Sequence, residues 1–532
     1  MALVVHNLSL GLDEAEGLLR QQAARKLRVK PEAIQSLRVL RKSLDARPRH
    51  MRWTYSVVVE VPTGQRGVAR GVQGHDVRLY SPPPKPRTSA GTEGAVAPPA
   101  IVGTGPAGMF AALLLAEAGY RPIVIDRGQD VSRRHLDVHT YVTQRKLNTE
   151  SNLLFGEGGA GAYSDGKLLT RVHDDLVDWV LQQFVAFGAD PSVAVIGKPH
   201  VGSDRLPGVA LKMRKHILSL GGQFLYGHCV QDVELARGKI RALQFQDGQR
   251  IGVSCVLLAI GHSARDTYRM LARRGVALSA RPFQMGVRIE HPQGLIDRAQ
   301  LGEFADRPEL APADYHLVAR GAGGDRDVYS FCMCPGGTIL PANHQEQTIC
   351  TNGGSKWRRD SGRANSALVT TVLPGQFGDD PLEGLAMQES LERACFLAAG
   401  GDYSIAAQRV TDFLADRASV GGIESSCPIG SRACDLNALL PRFIVRAIHN
   451  ALPVFDGRIP GFAGPEAVLL GPETRASCPV RIDRDPATRA SVSADNLYPA
   501  GEGAGYAGGI VSSAIDGLRS AEMIIARYAQ VK

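Results

Sequence analysis

The spacing of apolar and polar positions changes period several times along this chain, and each change marks an element. Residues 2–10 alternate in the manner of a half-buried strand. Asp13 to Leu27 has helical spacing, with Asp13, Glu14 and Glu16 in its first turn. Ser36–Leu44 and Trp53–Val61 read as further strands, so residues 1–80 predict a small α+β domain. The proline-rich run Ser81–Pro86 and the Ser/Gly/Thr/Ala stretch after it predict an extended linker over residues 81–97.

A different pattern starts near residue 98. The apolar run at Ile101-Val102 turns on Gly103, Gly105 and Gly108 into an apolar helix, Met109 to Ala118, closed by Gly119. Pro122 to Ile125 is a second apolar run, ending in Asp126. Val209–Leu220 reads as a basic helix. Phe224–Val233, Ile240–Gln246 and Ile251–Ile260 read as three strands, with Asp247-Gly248 as the hairpin turn between the last two. After Phe283 the pattern is irregular and rich in glycine and proline until about residue 486. Leu497–Ala500 then gives one more buried strand, and Ile510–Tyr528 a helix. The fold class expected is α/β: a Rossmann-like domain over 98–282 and 487–532, interrupted by an inserted domain over 283–486 and preceded by the small α+β domain.

The Gly103–Gly108 turn carries chemistry. Gly103 permits a tight turn, Gly105 lets backbone approach a pyrophosphate, and Gly108 lets helix and strand pack closely. The N-terminus of the helix that follows, beginning with Pro106 and Ala107, offers unpaired N–H groups to phosphates. Asp126, 18 residues past Gly108, is placed to accept hydrogen bonds from a ribose diol. A dinucleotide site is therefore expected. Only one such fingerprint is present, because Gly321-Ala322-Gly323-Gly324 is followed by Asp325-Arg326-Asp327 rather than by an apolar helix.

Composition narrows the picture. At 532 residues, 44% hydrophobic and 21% charged, the chain is long enough for several domains and ordinary for a globular protein. No apolar run approaches the roughly 20 residues that span a bilayer, and the first residues lack the basic start and apolar core of a signal peptide. Nine cysteines form no CxxC or Cys/His metal spacing. A cytoplasmic protein with reduced thiols, no membrane span and no metal is expected. The net charge of +8 is uneven: residues 1–90 hold 16 Lys/Arg against seven Asp/Glu, and the remainder is nearly balanced. Arg38, Arg41, Lys42, Arg47, Arg49 and Arg52 beside Trp53 leave two readings open, a nucleic-acid contact through residues 1–90 or a solvated basic face.

These motifs, in order, resemble the two-dinucleotide-binding-domain flavoproteins, the glutathione-reductase-like superfamily. Gly103–Gly108 with Asp126-Arg127 resembles their FAD fingerprint, with Asp126 where Glu is commoner. Val256–Gly261 resembles their second short motif, with Ile260 in place of Thr. Tyr498–Gly503 resembles the late motif whose acid binds the flavin ribityl chain, with Glu502 in place of Asp. Longer stretches, Phe155–Lys167, Ala259–Asp266, Ser330–Gly337 and Gly501–Gly509, together with the basic N-terminal domain, resemble a bacterial FAD-dependent dehydrogenase family. The resemblance implies an FAD-binding domain split by a substrate domain, with FAD as cofactor. It implies cofactor contacts at Gly103, Gly105, Pro106, Ala107, Gly108, Asp126 and Arg127. Further contacts are implied at Gly159, Ala160, Ser164 and Lys167 of the glycine-rich run, at Val230 beside Cys229, at Ala259 and Gly261, and at Gly501 and Glu502. Gly508, Gly509 and Ile510 are implied to direct a helix N-terminus at the flavin.

Flavin chemistry resides largely in the ring, with the protein supplying binding and orientation. The function expected is hydride transfer between flavin N5 and a small-molecule substrate, with NAD(P)H as a transient reductant or with the substrate itself reducing the flavin. An RNA-modifying flavoprotein and a flavin sensor without turnover are the other readings left open. Arg288, Glu290 and His291, with Glu473 and Arg475, are polar clusters in the insert. They read either as substrate-carboxylate and proton-handling groups or as buried ion pairs. Cys332 and Cys334, one residue apart on a strand, point to opposite faces and favour separate thiols over a disulfide. Oligomeric state is not legible from the sequence.

Overall fold

The computed structural model describes residues 1–47, 51–62, 75–322 and 326–531. Arg49 of the basic stretch and Gly323, Gly324 and Asp325 of the second glycine run lie outside the described residues. The chain forms two compact units, residues 1–85 with 167–200, and residues 86–166 with 201–532.

In the first unit a four-stranded sheet has the order Ser36–Asp45, Arg52–Glu60, Ala2–Gly11, Val77–Leu79. Leu19, Ala23, Ala24 and Leu27 of the helix Leu18–Leu27 are buried with Leu3, Val5, Leu8, Val57 and Val59 of the strands in one core. The helix begins at Leu18, not at Asp13. Glu14 instead accepts the Gly11 N–H at 2.6 Å, and Glu16 pairs with Lys42 at 2.7 Å, so these acids shape the turn ahead of the helix. The Lys42 ammonium also lies 4.6 Å from the centre of the Trp53 ring. Residues 167–200, read from the sequence as part of the dinucleotide-binding stretch, cluster with these strands. The Lys42 N–H donates to the Val195 carbonyl and the Gly197 N–H to the Lys42 carbonyl.

In the second unit five short strands form a parallel sheet in the order Leu497–Pro499, Val256–Leu258, Ala100–Val102, Ile123–Asp126, Gln223–Tyr226. Four of them are apolar and almost wholly buried, as strands covered on both faces are. The helix Pro106–Glu117 is buried nearly all round because the helices Leu206–Ser219 and Ile510–Arg527 pack against it. Its closest approach is at Gly517, where a Cβ would stand 2.0 Å from the Ala107 carbonyl oxygen.

Two runs read as single strands are each broken. At Gly227, φ +72°, the N–H turns to the Gly128 carbonyl and the next N–H, of His228, to the Asp126 carbonyl. The chain leaves the parallel sheet there and continues as an antiparallel three-stranded sheet, Val230–Ala236, Lys239–Phe245 and Arg250–Gly252. Arg250–Gly252 and Val256–Leu258 likewise belong to different sheets. The Asp247-Gly248 turn forms, closed by Gly248 N–H to the Phe245 carbonyl at 3.0 Å.

The stretch after Phe283 is regular where its pattern looked irregular. It forms a seven-stranded sheet in the order Val318–Ala322, Arg326–Cys334, Arg363–Val372, Phe283–Pro292, Val468–Glu473, Ile405–Arg409, Ser431–Ala433. Phe283–Pro292 and Arg363–Val372 pair antiparallel along all ten residues. Both are buried on both faces, which removes the polar–apolar alternation that would have announced them. Leu278–Ala280 and Val480–Ile482 pair antiparallel, so the chain passes into and out of this region side by side. Residues 91–97 of the linker are docked, with Gly91 N–H on the Ile525 carbonyl and the Val96 and Ala97 N–H groups on Ser254 Oγ. Among the described residues no helix is long and apolar enough to cross a membrane.

Candidate cofactor site

The turn after Ala100–Val102 shows three different uses of glycine. Gly103 has φ +107°, and a Cβ there would lie 2.2 Å from the Ala259 carbonyl oxygen. A Cβ on Gly108 would lie 1.9 Å from the Gly103 carbonyl oxygen. Gly105 differs: its φ of −70° suits any residue, and a Cβ would meet nothing closer than Gly159 Cα at 3.9 Å. Gly103 and Gly108 are thus required by the protein's own packing, whereas Gly105 keeps open a space beside the turn. Gly105, at the N-cap, has no side chain with which to cap the helix that starts at Pro106, and the first N–H paired back within this helix is that of Met109, on the Gly105 carbonyl at 2.9 Å. An uncapped helix N-terminus beside an open glycine fits the diphosphate of a dinucleotide.

The glycine-rich run lies along this turn. A Cβ on Gly159 would come 2.8 Å from Gly105 Cα, and one on Gly161 3.4 Å from Ile510, so residues 159–161 bridge the two helix N-termini. Ala160 opens the short 3₁₀ turn Ala160–Tyr163. Ser164 shapes the exit, its hydroxyl donating to the Gly161 carbonyl at 2.8 Å and accepting the Gly166 N–H at 3.0 Å. Lys167 stands at the start of the excursion that clusters with the first unit, in a bridge with His200. Sequence reasoning missed the side chain that holds this run. Arg134, fully buried, donates to the carbonyls of Asn152, Gly156, Glu157 and Gly159 and lies 4.8 Å from the Tyr163 ring centre. Its position in the helix Val131–Gln144 gave no signal, because an arginine in a helix reads as surface.

Asp126 accepts hydrogen bonds from Thr104 N–H at 2.8 Å, from the Thr104 hydroxyl, and from Gly128 N–H at 2.8 Å. It therefore fixes the glycine turn itself. Arg127 pairs with Asp266 at 2.7 Å and lies 4.7 Å from the Phe155 ring centre. Val230 and Cys229 are buried where the antiparallel sheet begins, and burial pushes the Cys229 thiol up to about 12. Ala259 donates its N–H to the Val102 carbonyl. The Tyr268 hydroxyl donates to the Gly503 carbonyl at 2.6 Å and lies 3.2 Å from the Gly261 carbonyl.

The third motif closes the site. The Gly501 N–H is held by Asp516 Oδ2 at 2.7 Å, and Asp516 is held in turn by Arg484 and Arg489. Glu502, next in the chain, makes no side-chain hydrogen bond among the described residues. Loss of surrounding water raises its carboxyl to about 7, against the opposing charge of Arg281. Gly508 and Gly509 lead into Ile510, and the helix Ile510–Arg527 has no side-chain cap from its N-cap residue. An unpartnered carboxylate and a second free helix N-terminus, both beside the first, fit the ribityl and ring portions of FAD.

Within the insert the sequence candidates separate. Arg288 and Glu473 form a fully buried bidentate pair, both contacts at 3.0 Å, joined by Asn365 and Thr351. His291 is buried against Phe462 and bonded to its carbonyl at 2.8 Å, and burial lowers its pKa to about 4. Glu290 accepts from Ser426. A bulge between Phe331 and Cys334 interrupts the strand, leaving Cys332 exposed and Cys334 buried, with no disulfide.

Arg475 alone of these candidates reaches residues next to the second motif. Arg475 and Arg265 grip the same buried carboxylate, Glu392, each through both oxygens at 2.8–3.1 Å. Arg475 also donates to His344 Nδ1. Burial alone would raise the Glu392 carboxyl, but the two guanidinium groups hold it down to about 2. Glu392, His344 and Arg265 come from three distant segments, and no spacing rule joins them.

Three sequence families match parts of the chain: a domain of unknown function over residues 3–60, an FAD binding domain over 97–140, and the family described as FAD-dependent protein, C-terminal domain-like, over 282–476. Among solved structures, glycine oxidase from Geobacillus kaustophilus is 13% identical, covering 82% of this chain and 96% of its own, at a TM-score of 0.35. L-proline dehydrogenase from P. horikoshii is 11% identical, covering 80% and 93%, at a TM-score of 0.34. Likenesses that loose carry no inference about the reaction. A protein of Clostridium beijerinckii, described as an uncharacterized protein, is 41% identical over 532 residues, 99% of each chain. With FAD families matched at both the glycine turn and the insert, FAD is the cofactor of this flavoprotein, and the chain belongs to the family of that Clostridium beijerinckii protein.

Proposed function

We propose that the chain binds FAD across the carboxyl ends of its parallel sheet and transfers a hydride between flavin N5 and a small-molecule substrate presented by the insert, with NAD(P)H as a transient electron donor. The observation that carries this reading is the contrast at the glycine turn, where Gly103 and Gly108 are filled by protein and Gly105 alone is left open. When bound, FAD supplies the two-electron chemistry. The chain's own residues do the rest. The uncapped N-termini at Pro106 and Ile510 present N–H groups and partial positive charge to negative oxygens. Asp126 and Arg134 hold the two backbone walls, Asp516 holds Gly501, and Glu502 offers a carboxyl free of protein partners.

An anaerobic absorbance scan of the purified protein, before and after NADH and then NADPH, tests the proposal. The expected result is a flavin spectrum that bleaches with one of the two. A protein that cannot be loaded with FAD overturns the whole reading. A flavin that neither nucleotide reduces removes the donor and leaves direct reduction by the substrate.

A further inference from the structure

The cluster that joins Arg475 to the second motif has a polarity suited to a particular ligand chemistry. Three guanidinium groups, Arg265, Arg269 and Arg475, share two carboxylates, Glu389 and Glu392, so the cluster carries an excess positive charge in a largely buried setting. Two histidines lie within its field. Arginine has only donors, so the contact from Arg475 obliges His344 Nδ1 to accept. The ring is therefore neutral with its proton on Nε2. His344 is only 5% exposed, yet Nε2–H has no protein acceptor among the described residues. His262, on the turn after Val256–Leu258, meets the Ser263 hydroxyl through Nδ1 at 2.7 Å and likewise has no protein partner at Nε2 among the described residues.

The surroundings say where the two imidazoles stand. Phe155 of the glycine-rich run packs edge-on to His344, with ring centres 5.3 Å apart. Leu154, Phe155, Ala264 and Ala342 form one small apolar cluster, with Ala160 and Ile260 against it. The second motif, the run beside Gly105 and the insert turn that carries His344 therefore meet at one place. Burial and the charges of Arg475 and Arg265 lower both histidines, His262 to about 4, so neither adds a proton to the excess charge already present.

We propose that this junction, between Ile260–Ala264 and Ala342–Gln345, is an oxyanion subsite in which the His344 Nε2–H and the His262 ring bind carboxylate- or phosphate-type oxygens in the field of Arg265 and Arg475. The proposal rests on the FAD reading above. It narrows the ligand to an anion, either a carboxylate or phosphate group of the substrate or the diphosphate of the cofactor itself. Arg475 and Glu392 are positioning residues here: the first fixes the imidazole tautomer and the second fixes Arg475. A neutral imidazole donor suits the task, because it binds oxygen without gaining a charge when the site is empty.

The test uses the FAD-loaded protein titrated with inorganic phosphate and with acetate, read by the flavin absorbance, alongside FAD titration of the apoprotein. His344→Phe and His344→Gln are compared, with thermal melts to establish folding. For a substrate oxyanion, a saturable spectral shift is expected in the parent protein. His344→Phe should then weaken anion binding roughly ten- to hundredfold with FAD content unchanged. For the cofactor diphosphate, the anions leave the spectrum unmoved and His344→Phe weakens FAD itself by a similar factor. His344→Gln keeps an N–H donor and is expected within about threefold of the parent in either case. Folded Phe and Gln variants that weaken binding equally would assign the effect to ring packing on Phe155 and overturn the proposal. So would a folded Phe variant with parental anion and FAD binding; should neither His344 variant fold, His262→Phe is judged by the same two titrations. Each of these outcomes leaves the FAD reading intact. A parent protein that takes up no FAD defeats that reading instead.

Discussion

Asp516, one turn and a half into the helix Ile510–Arg527, accepts the N–H of Gly501 at 2.7 Å, so that helix holds the turn on which Glu502 stands. The same carboxylate neutralises Arg484 and Arg489. Asp516→Ala is expected to cost about 3–5 kcal/mol, since it strands two largely buried guanidinium groups. It should also weaken FAD binding in whatever fraction still folds. Urea unfolding and fluorescence titration of the apoprotein measure the two effects separately.

The three glycines of the first turn should fail in different ways. Gly105→Ala has a compatible backbone and an open site. It is expected to melt within about 0.5 kcal/mol of the parent and yet to bind FAD roughly tenfold more weakly, because the added carbon enters the space left for phosphate. Gly108→Ala drives a Cβ against the Gly103 carbonyl and should cost about 1–3 kcal/mol of stability. Melting curves of the two apoproteins, set beside their FAD affinities, decide the matter.

Glu392 makes the protein sensitive to acid. Its folded carboxyl lies near 2, held there by Arg265 and Arg475 against burial, below the 4.5 of an ordinary glutamate. The stability it contributes is complete above about 4.5 and lost as the pH falls toward 2. Urea midpoints should decline across that window. Glu392→Gln should flatten the decline while lowering stability at neutral pH by about 3–5 kcal/mol.

Glu502 has the opposite sign. Its folded carboxyl is raised to about 7, so the folded apoprotein holds a proton that the unfolded chain has released, and stability falls as the pH rises from 4.5 through 7. Glu502→Gln is expected to remove this slope and to raise the apoprotein melting temperature at alkaline pH by roughly 2 °C. A calorimetric pH series on the two apoproteins reads it directly.

The parts of this architecture visible in the sequence are those in which one short segment contains its own explanation. Gly103 and Gly108 must each be glycine for reasons lying within a few residues or on the adjoining strand, and the apolar helix that follows confirms the turn. The strand Leu497–Pro499 is legible for the same reason, whereas Val256–Leu258 was merged with Arg250–Gly252 into one run, although the two belong to different sheets. The long strands Phe283–Pro292 and Arg363–Val372 were not, because burial on both faces erases alternation. The break at Gly227 was hidden since apolar residues continue on both sides of it. Arg134, Glu392 and His344 were out of reach for another reason. Their roles are set by partners far away in the chain, and a lone Arg, Glu or His carries no mark of what it will meet. The association of residues 167–200 with the N-terminal strands is likewise a pairing of distant backbone, with no local signature.

The parallel sheet has a consequence for how this protein is made. Its edge strand, Leu497–Pro499, joins Val256–Leu258, and the helix that supports Glu502 comes later still. A nascent chain that has emerged through residue 486 owns the first glycine turn and the whole insert, yet it lacks the wall that completes the cradle. On the reading proposed above, the last wall of the flavin cradle is made only after residue 497 has emerged, so flavin capture is expected late in synthesis. The insert, whose two ends are zipped together at Leu278–Ala280 and Val480–Ile482, keeps the waiting halves of the cradle within reach of one another until the last strand arrives.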